Sequence, residues 1–160
     1  VTGDGKPDIL FFSITSNNFG WDKDPQTRLL VNDGKGRFID ETEARLPKHT
    51  FSSWAGTVID FNGDGAPDLV VGAIEVPGFV PLQLRAWQND GKGNFTDVTL
   101  DVVPGITVGR SWSMGQGDLD GDGKPDVLVG GWGTQARLLL SDIKGYQSRL
   151  PKLPPLGEEG

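Results

Sequence analysis

Two sequence motifs recur in the same order along this chain, and this repetition limits its possible folds more than any other feature. An acidic motif reads DFNGDGAPD at 60–68 and DLDGDGKPD at 118–126, and VTGDGKPD at 1–8 matches its later part. A second motif, LLVNDGKGRFIDET at 29–42, returns as AWQNDGKGNFTDVT at 86–99. The copies lie about 58 residues apart, so the chain holds just under three repeats. Repeats of this length are typical of arrays and propellers.

Each repeat is predicted to contain four short β-strands. The runs SWAGTVIDF and SWSMGQGDL lead into the acidic motifs, and the β-branched runs PDLVVGAI and PDVLVGG leave them. Asn-Asp-Gly in the second motif is a strong hairpin signal, although the third copy, SDIKG, lacks Asp-Gly and leaves that hairpin in question. Two hairpins in series form the four-stranded antiparallel meander of a propeller blade. The 24 glycines and 11 prolines suit short strands and tight turns and argue against long helices.

The predicted fold class is therefore all-β, with about three β-propeller blades that belong to a larger ring or assembly. In each blade, strands are lettered A to D, the acidic loop joins A to B, and the Asn-Asp-Gly turn joins C to D. The predicted parts are a partial first blade with strands B to D and its connection (1–53), a second blade (54–111), a third blade (112–149) and a tail or linker (150–160). Because a blade must pack on a neighbour at each face, we expect a fragment of a longer chain or copies that assemble.

The acidic motif has the residue types and spacing of a metal-binding loop. In the pattern D-x-[DN]-x-D-G-x-x-D, side chains at positions 1, 3, 5 and 9 and the carbonyl at position 7 can converge on one point. Oxygen ligands in this number suit Ca²⁺, which takes six to eight of them. The alternative is that Asp, Asn and Gly form a turn without a metal. Four oxygen-bearing side chains at one spacing, repeated along the chain, favour calcium.

The two complete motifs predict two calcium sites, and the incomplete first motif predicts a partial third site. The ligands in the second repeat are predicted to be Asp60, Asn62, Asp64, the Ala66 carbonyl and Asp68, and those in the third repeat Asp118, Asp120, Asp122, the Lys124 carbonyl and Asp126. The first motif retains Asp4, Lys6 and Asp8 but lacks position 1. An EF-hand does not fit, because Val71 and Val129 stand where its bidentate glutamate would be.

The two motifs resemble the calcium-binding FG-GAP, or VCBS-type, repeats of bacterial secreted proteins and of the integrin α-subunit propeller. DLDGDGKPDVLVGG and LLVNDGKGRFIDET are similar to the two signature segments of the VCBS-type branch. Gly72-Ala73 matches the Gly-Ala half of the FG-GAP name, whereas Trp54 and Trp112 stand near the place of the Phe-Gly half, a departure from integrins. The resemblance covers nearly the whole chain and implies a ring of about seven blades in a secreted bacterial protein.

Composition excludes several classes of function. The net charge of −7 argues against nucleic acid, and no apolar run approaches the roughly 18 residues of a transmembrane helix. His49 is the only histidine, cysteine is absent, and no serine lies in a recognisable nucleophile motif. The sequence thus predicts a non-catalytic, calcium-stabilised binding, adhesion or assembly module of an extracellular protein, secreted or at the cell surface.

The long B–C and D–A connections are predicted to carry a protein or glycan partner, and self-association or the remaining blades of a parent chain are further expected partners. The candidate contact residues are Phe19, Trp21, His49, Phe79 and Arg110, unless these side chains only pack against their own loops. One alternative is a carbohydrate-binding propeller that stacks sugars on Trp21, Phe79 or Trp132. Another is a non-catalytic domain of a larger secreted enzyme. Trp54, Trp87 and Trp112 are instead predicted to be buried or packed between blades.

Overall fold

The computed structural model describes residues 1–13, 27–75, 80–108, 110–132, 136–142 and 145–149. Phe19, Trp21, Phe79 and the 150–160 tail lie outside the described residues, and only the backbone of Trp132 is described. The described strands are all antiparallel. They confirm the prediction of an all-β fold built from β-meanders.

The first repeat forms a three-stranded sheet, and the second forms a four-stranded sheet with a small side ribbon. Strands β1 (Ile9–Phe11), β2 (Arg28–Asn32) and β3 (Phe38–Asp40) pair in chain order. The second sheet contains β4 (Gly56–Ile59), β5 (Asp68–Val71), β8 (Arg85–Asn89) and β9 (Phe95–Asp97) in that order. The side ribbon consists of β6 (Ile74–Glu75) and β7 (Val80–Pro81), which lie between β5 and β8 in the chain.

The third repeat forms a second four-stranded meander in chain order. Its strands are β10 (Arg110–Gly117), β11 (Asp126–Trp132), β12 (Arg137–Asp142) and β13 (Gly145–Arg149). Strands β12 and β13 pair as far as Asp142 opposite Gly145, so the two strands form a hairpin even without Asp-Gly. A bulge between Ser111 and Ser113 interrupts the pairing of β10 with β11.

A short helical turn follows the last strand of the first and second sheets. These are α1 (Thr42–Arg45) and α2 (Thr99–Val102). The Thr42 hydroxyl accepts a hydrogen bond from the Leu29 N–H (3.0 Å), and the Thr99 hydroxyl accepts the equivalent bond from the Ala86 N–H (3.1 Å). The recurring threonine therefore connects each helical turn to strand C of its blade, which is β2 in the first repeat and β8 in the second.

Two apolar clusters lie on opposite faces of the second sheet. Along β5, Leu69 and Val71 join a cluster with Leu29 and other residues of the first repeat, whereas Val70 joins a cluster with Val127 and other residues of the third. Since alternate residues of a strand point to opposite faces, β5 is buried on both sides. This is the packing expected of a blade between two neighbours.

Trp54, Trp87 and Trp112 are buried or packed between repeats, as predicted. Trp87 on β8 is 1% exposed and belongs to the cluster shared with the first repeat. Trp54 and Trp112, from equivalent positions of successive repeats, contact each other with ring centroids 4.4 Å apart. They therefore pack between repeats, as predicted, although one side of Trp112 remains exposed.

Candidate metal centre

Each acidic loop folds around its own carboxylates. In the third loop, Asp118 accepts hydrogen bonds from the N–H groups of Gly121 (2.7 Å) and Gly123 (3.0 Å), one on each carboxylate oxygen. The two glycines have φ of 85° and 84°, a region that side chains disfavour. The motif as written from sequence required glycine only at position 6. The structure also requires it at position 4, where Gly121 lies.

The second loop repeats this arrangement. Asp60 accepts hydrogen bonds from the N–H groups of Gly63 (2.8 Å), Asp64 (3.1 Å) and Gly65 (2.9 Å). Asn62 differs from its third-repeat counterpart, because its side-chain amide donates to Asp64 (2.8 Å). The Asn62 amide therefore satisfies part of the Asp64 carboxylate, whereas an aspartate at position 3 would repel it.

Position 9 holds a buried aspartate that joins the acidic loop to the C–D turn. Asp68 and Asp126 are both 0% exposed. Asp126 accepts hydrogen bonds from the N–H groups of Leu119 in its own loop and of Ser141 at the C–D turn, each 2.8 Å long. Asp68 accepts the equivalent bonds from Phe61 (3.2 Å) and Asn89 (2.8 Å). The A–B loop and the C–D turn therefore lie at the same end of each blade.

The first loop keeps the position 9 bonds. Asp8 accepts hydrogen bonds from the Val1 nitrogen (2.7 Å) and from the Asn32 N–H (3.0 Å). Lys6 pairs with Asp4 across 3.3 Å at the surface.

The third loop brings three carboxylates together. Asp118, Asp120 and Asp126 form the one group of metal-ligand side chains among the described residues whose ligand atoms all lie within 4.8 Å of one another. Asp122 is outside this group and pairs with the Lys124 ammonium at 3.5 Å. A carboxylate offers about four lone-pair sites. Asp118 and Asp126 each use two for the N–H bonds described above, so acceptor capacity remains for a hard cation.

The two complete loops differ in how closely their predicted ligands approach one another. Three predicted ligands of the third loop converge, while the second loop, with Asn62 at position 3, forms no comparable carboxylate triad among the described residues. The donor set of the third loop, oxygen only and anionic, fits Ca²⁺.

Asp68 has an electrostatic environment that opposes its charge. Burial raises its pKa to about 6, with a further contribution from the Asp64 and Asp60 charges, against the opposing N–H bonds from Asn89 and Phe61. Without a cation, the folded protein therefore holds a proton on Asp68 more tightly than the unfolded chain, whose aspartates titrate near 3.8.

This difference predicts a pH dependence in calcium-free buffer. The stabilisation from protonated Asp68 is fully present below pH 4 and is lost as the pH rises through about 6. The shift corresponds to about 3 kcal/mol of unfolding free energy. Urea unfolding at pH 4, 5, 6 and 7 should show the difference between the wild type and Asp68→Asn shrinking by that amount. An unchanged difference across this range would contradict the assignment.

Two contacts connect the first repeat, through its acidic loop and through α1, with the C–D turn of the second. The Asn89 side chain donates to the Val1 carbonyl (3.0 Å), and Arg45 donates to the Lys92 carbonyl (2.7 Å). Sequence reasoning treated Asn89 as a turn residue only. Its recurrence, with Asn32 at the matching position, was the signal that could have revealed this further role.

His49, predicted as a contact residue, is engaged within the fold. Its Nε2 atom accepts a hydrogen bond from the Thr27 N–H (3.0 Å), and its ring stacks on Phe51 with centroids 3.8 Å apart. Nδ1 lies 3.0 Å from the Phe51 carbonyl. The alternative reading, in which this side chain packs its own connection, accounts for these contacts. Arg110 begins β10 and is only partly exposed.

Comparisons with known proteins agree with the repeat pattern. A family model described as FG-GAP-like repeat matches residues 1–71 and 80–129. Phosphatidylinositol-glycan-specific phospholipase D from Homo sapiens is 33% identical over 95 residues, which are 55% of this chain and 11% of that protein. The Bos taurus protein of the same name is 30% identical over 123 residues, 67% of this chain and 14% of its own length. The chain thus spans only a small part of these relatives. No helix among the described residues is long and apolar enough to cross a membrane.

Proposed function

Since this chain belongs to the FG-GAP-like repeat family, we propose that it is a calcium-stabilised set of propeller blades from a larger extracellular protein. It serves binding, adhesion or assembly and catalyses no reaction itself. The observation that carries the calcium proposal is the third acidic loop, where Asp118, Asp120 and Asp126 place carboxylate oxygens within 4.8 Å of one another. Such crowding of like charge is costly without a cation.

The residues proposed to hold each ion are the ligands predicted from the acidic motif. In the third loop they are the three converging carboxylates and the Lys124 carbonyl. Asp122 would join them once the cation displaces the Lys124 ammonium. The second loop would use Asp60, Asn62, Asp64, Asp68 and the Ala66 carbonyl in the same way. A bound Ca²⁺ would supply charge neutralisation and rigidity, because a closed shell of hard ligands leaves no open position for a substrate.

Exposed apolar side chains on the first and third sheets support the proposal that further blades pack against them. On the first sheet Phe11 is 51% exposed, and on the third sheet Leu128 is 40% exposed. A groove of about 360 Å³ lies beside the exposed side of Trp112 and is lined by Ser113, Gly130 and Gly131. Trp54, the equivalent residue of the second repeat, is in contact with the Trp112 ring of the next repeat. Further blades of a parent chain, or of another copy, would cover these faces in the same manner.

A second candidate function has support from the comparisons. Both relatives described above carry the name of a phospholipase D, and the chain covers 11% and 14% of their lengths. The chain could accordingly serve as a non-catalytic domain of a larger extracellular enzyme of this kind. No described residue favours the carbohydrate-binding alternative, because two of its proposed stacking residues lie outside the described residues and the side chain of the third, Trp132, is not described.

Single substitutions in the loops test the calcium proposal. Asp120→Ala should lower the melting temperature in calcium and leave it nearly unchanged in chelator. Asn62→Ala should lower it in both conditions, because the Asn62 side chain bonds to Asp64, but by more in calcium. Asp120 accepts one hydrogen bond within the loop, from the Asp122 N–H (3.1 Å), so its loss costs little without an ion. Each variant should lose up to about 2.7 kcal/mol, the stabilisation from one site at 100 times its dissociation constant. Differential scanning calorimetry measures both conditions.

Asp101→Ala is the matched control, since Asp101 is an exposed aspartate on α2 outside the acidic loops. This control removes the same charge and should leave the calcium response intact. If Asp120→Ala were equally destabilised in calcium and in chelator, the loops would hold no ion.

A further inference from the structure

The carbonyl of the proline at position 8 accepts a side-chain hydrogen bond in all three acidic loops. Asn32 donates to the Pro7 carbonyl through its side-chain nitrogen (3.0 Å), and Asn89 donates to the Pro67 carbonyl in the same way (2.9 Å). Because this proline directly precedes the buried aspartate of position 9, the bond fixes the backbone from which that carboxylate projects. The anchor thus accompanies the acidic loop in every repeat.

The third repeat lacks the asparagine that makes this bond. Ser141 takes its place, as its N–H donates to Asp126 (2.8 Å) in the manner of the Asn89 N–H to Asp68. The serine side chain is shorter than that of asparagine. Its hydroxyl oxygen is buried and finds no hydrogen-bond partner among the described residues.

Tyr146 supplies the missing bond from the opposite strand. It pairs directly with Ser141 across β12 and β13, and its hydroxyl donates to the Pro125 carbonyl at 3.0 Å. The ring is 6% exposed and belongs to the apolar cluster between the second and third repeats. The donor is therefore held in place by the core, as an asparagine is held by its turn.

We propose that Tyr146 is a positioning residue of the third acidic loop, where its hydroxyl replaces the asparagine side chain of the other two repeats. By holding Pro125, it fixes the buried carboxylate of Asp126 and the neighbouring Lys124 carbonyl in the positions from which they would face the ion. This inference rests on the calcium proposal, and it adds a residue that is not among the predicted ligands and that occupies the place of Phe38 and Phe95 in the other two repeats.

Tyr146→Phe tests the role, because it removes only the hydroxyl and keeps the ring in the core. A calcium titration followed by ¹H–¹⁵N correlation spectra reports both loops in one sample, through the amides of Gly121 and Gly123 in the third loop and of Gly63 and Gly65 in the second. We expect calcium affinity at the third loop to fall about threefold to tenfold, the range that corresponds to the net loss of one hydrogen bond. Affinity at the second loop should stay unchanged.

Ser141→Asn in the Tyr146→Phe background provides the rescue. It should rebuild the asparagine bond of the first two repeats and restore third-loop affinity, which a variant with a merely loosened core would not do. Failure to restore affinity would overturn the equivalence of tyrosine and asparagine. Unchanged third-loop affinity in Tyr146→Phe, or an equal fall at both loops, would overturn the positioning role. If neither loop of the wild type responded to calcium, the calcium proposal itself would fail.

Discussion

Saturating calcium is expected to raise the melting temperature of this chain by ~10 °C or more relative to chelator. Each complete loop contributes roughly 2.7 kcal/mol at 100 times its dissociation constant, so two loops add roughly 5 kcal/mol. For a domain of this size, 1 kcal/mol corresponds to about 2–4 °C. The physical source is the relief of repulsion among carboxylates such as Asp118, Asp120 and Asp126, whose ligand atoms lie within 4.8 Å of one another.

Thermal unfolding followed by circular dichroism in calcium, in magnesium and in chelator measures this effect. Magnesium should stabilise the chain much less, because it demands near-ideal octahedral geometry at short distances and gives up its water reluctantly. Equal shifts with the two ions would indicate general charge screening. The Asp120→Ala/Asn62→Ala double variant is the control, and it should lose most of the difference between calcium and magnesium.

Trp87→Ala is expected to be the most destabilising single substitution described here, at about 3–5 kcal/mol of unfolding free energy. Trp87 is 1% exposed, and it packs among Leu29 and Leu69 in the cluster that joins the first and second repeats. Its ring also lies 5.5 Å from that of His49, measured between centroids. Removing the side chain leaves a cavity between two sheets, which chemical denaturation with guanidinium would report as a lower midpoint.

Trp87→Phe separates packing from hydrogen bonding. The indole nitrogen of Trp87 has no hydrogen-bond partner among the described residues, so the loss of its N–H group carries no penalty for a broken bond. We expect a loss clearly smaller than that of Trp87→Ala, since an aromatic ring still fills most of the space. Similar losses in both variants, or a tolerated Trp87→Ala, would contradict close packing of the two sheets around this residue.

Much of the fold follows from the sequence because its signals are local. The short, β-branched apolar run in PDLVVGAI predicts a strand, and β5 is a strand that is buried on both faces. The glycines of the acidic motifs permit the positive φ angles on which each loop depends, so those loops were recognisable as turns with converging oxygens. The equivalent positions of Trp54 and Trp112 predicted packing between repeats, which their contact confirms.

The site was predictable only in part, since a ligand list gives residue types but not distances. Nothing in the motif showed that Asp118, Asp120 and Asp126 meet while Asp122 turns to Lys124. The placement of His49 also depends on contacts with Thr27 and Phe51.

The sequence by itself determined the strands, the turns and the oxygen chemistry of the loops, because each depends on residues within a few positions of one another. Only the tertiary structure decided what holds the loops in place. The Tyr146 hydroxyl and the Pro125 carbonyl are 21 residues apart, and Asn89 and the Val1 carbonyl are 88 apart. Such bonds depend on how strands pair and how sheets stack. A tyrosine can therefore take over from an asparagine in three dimensions, although the repeat pattern alone shows only that the asparagine is replaced by Ser141.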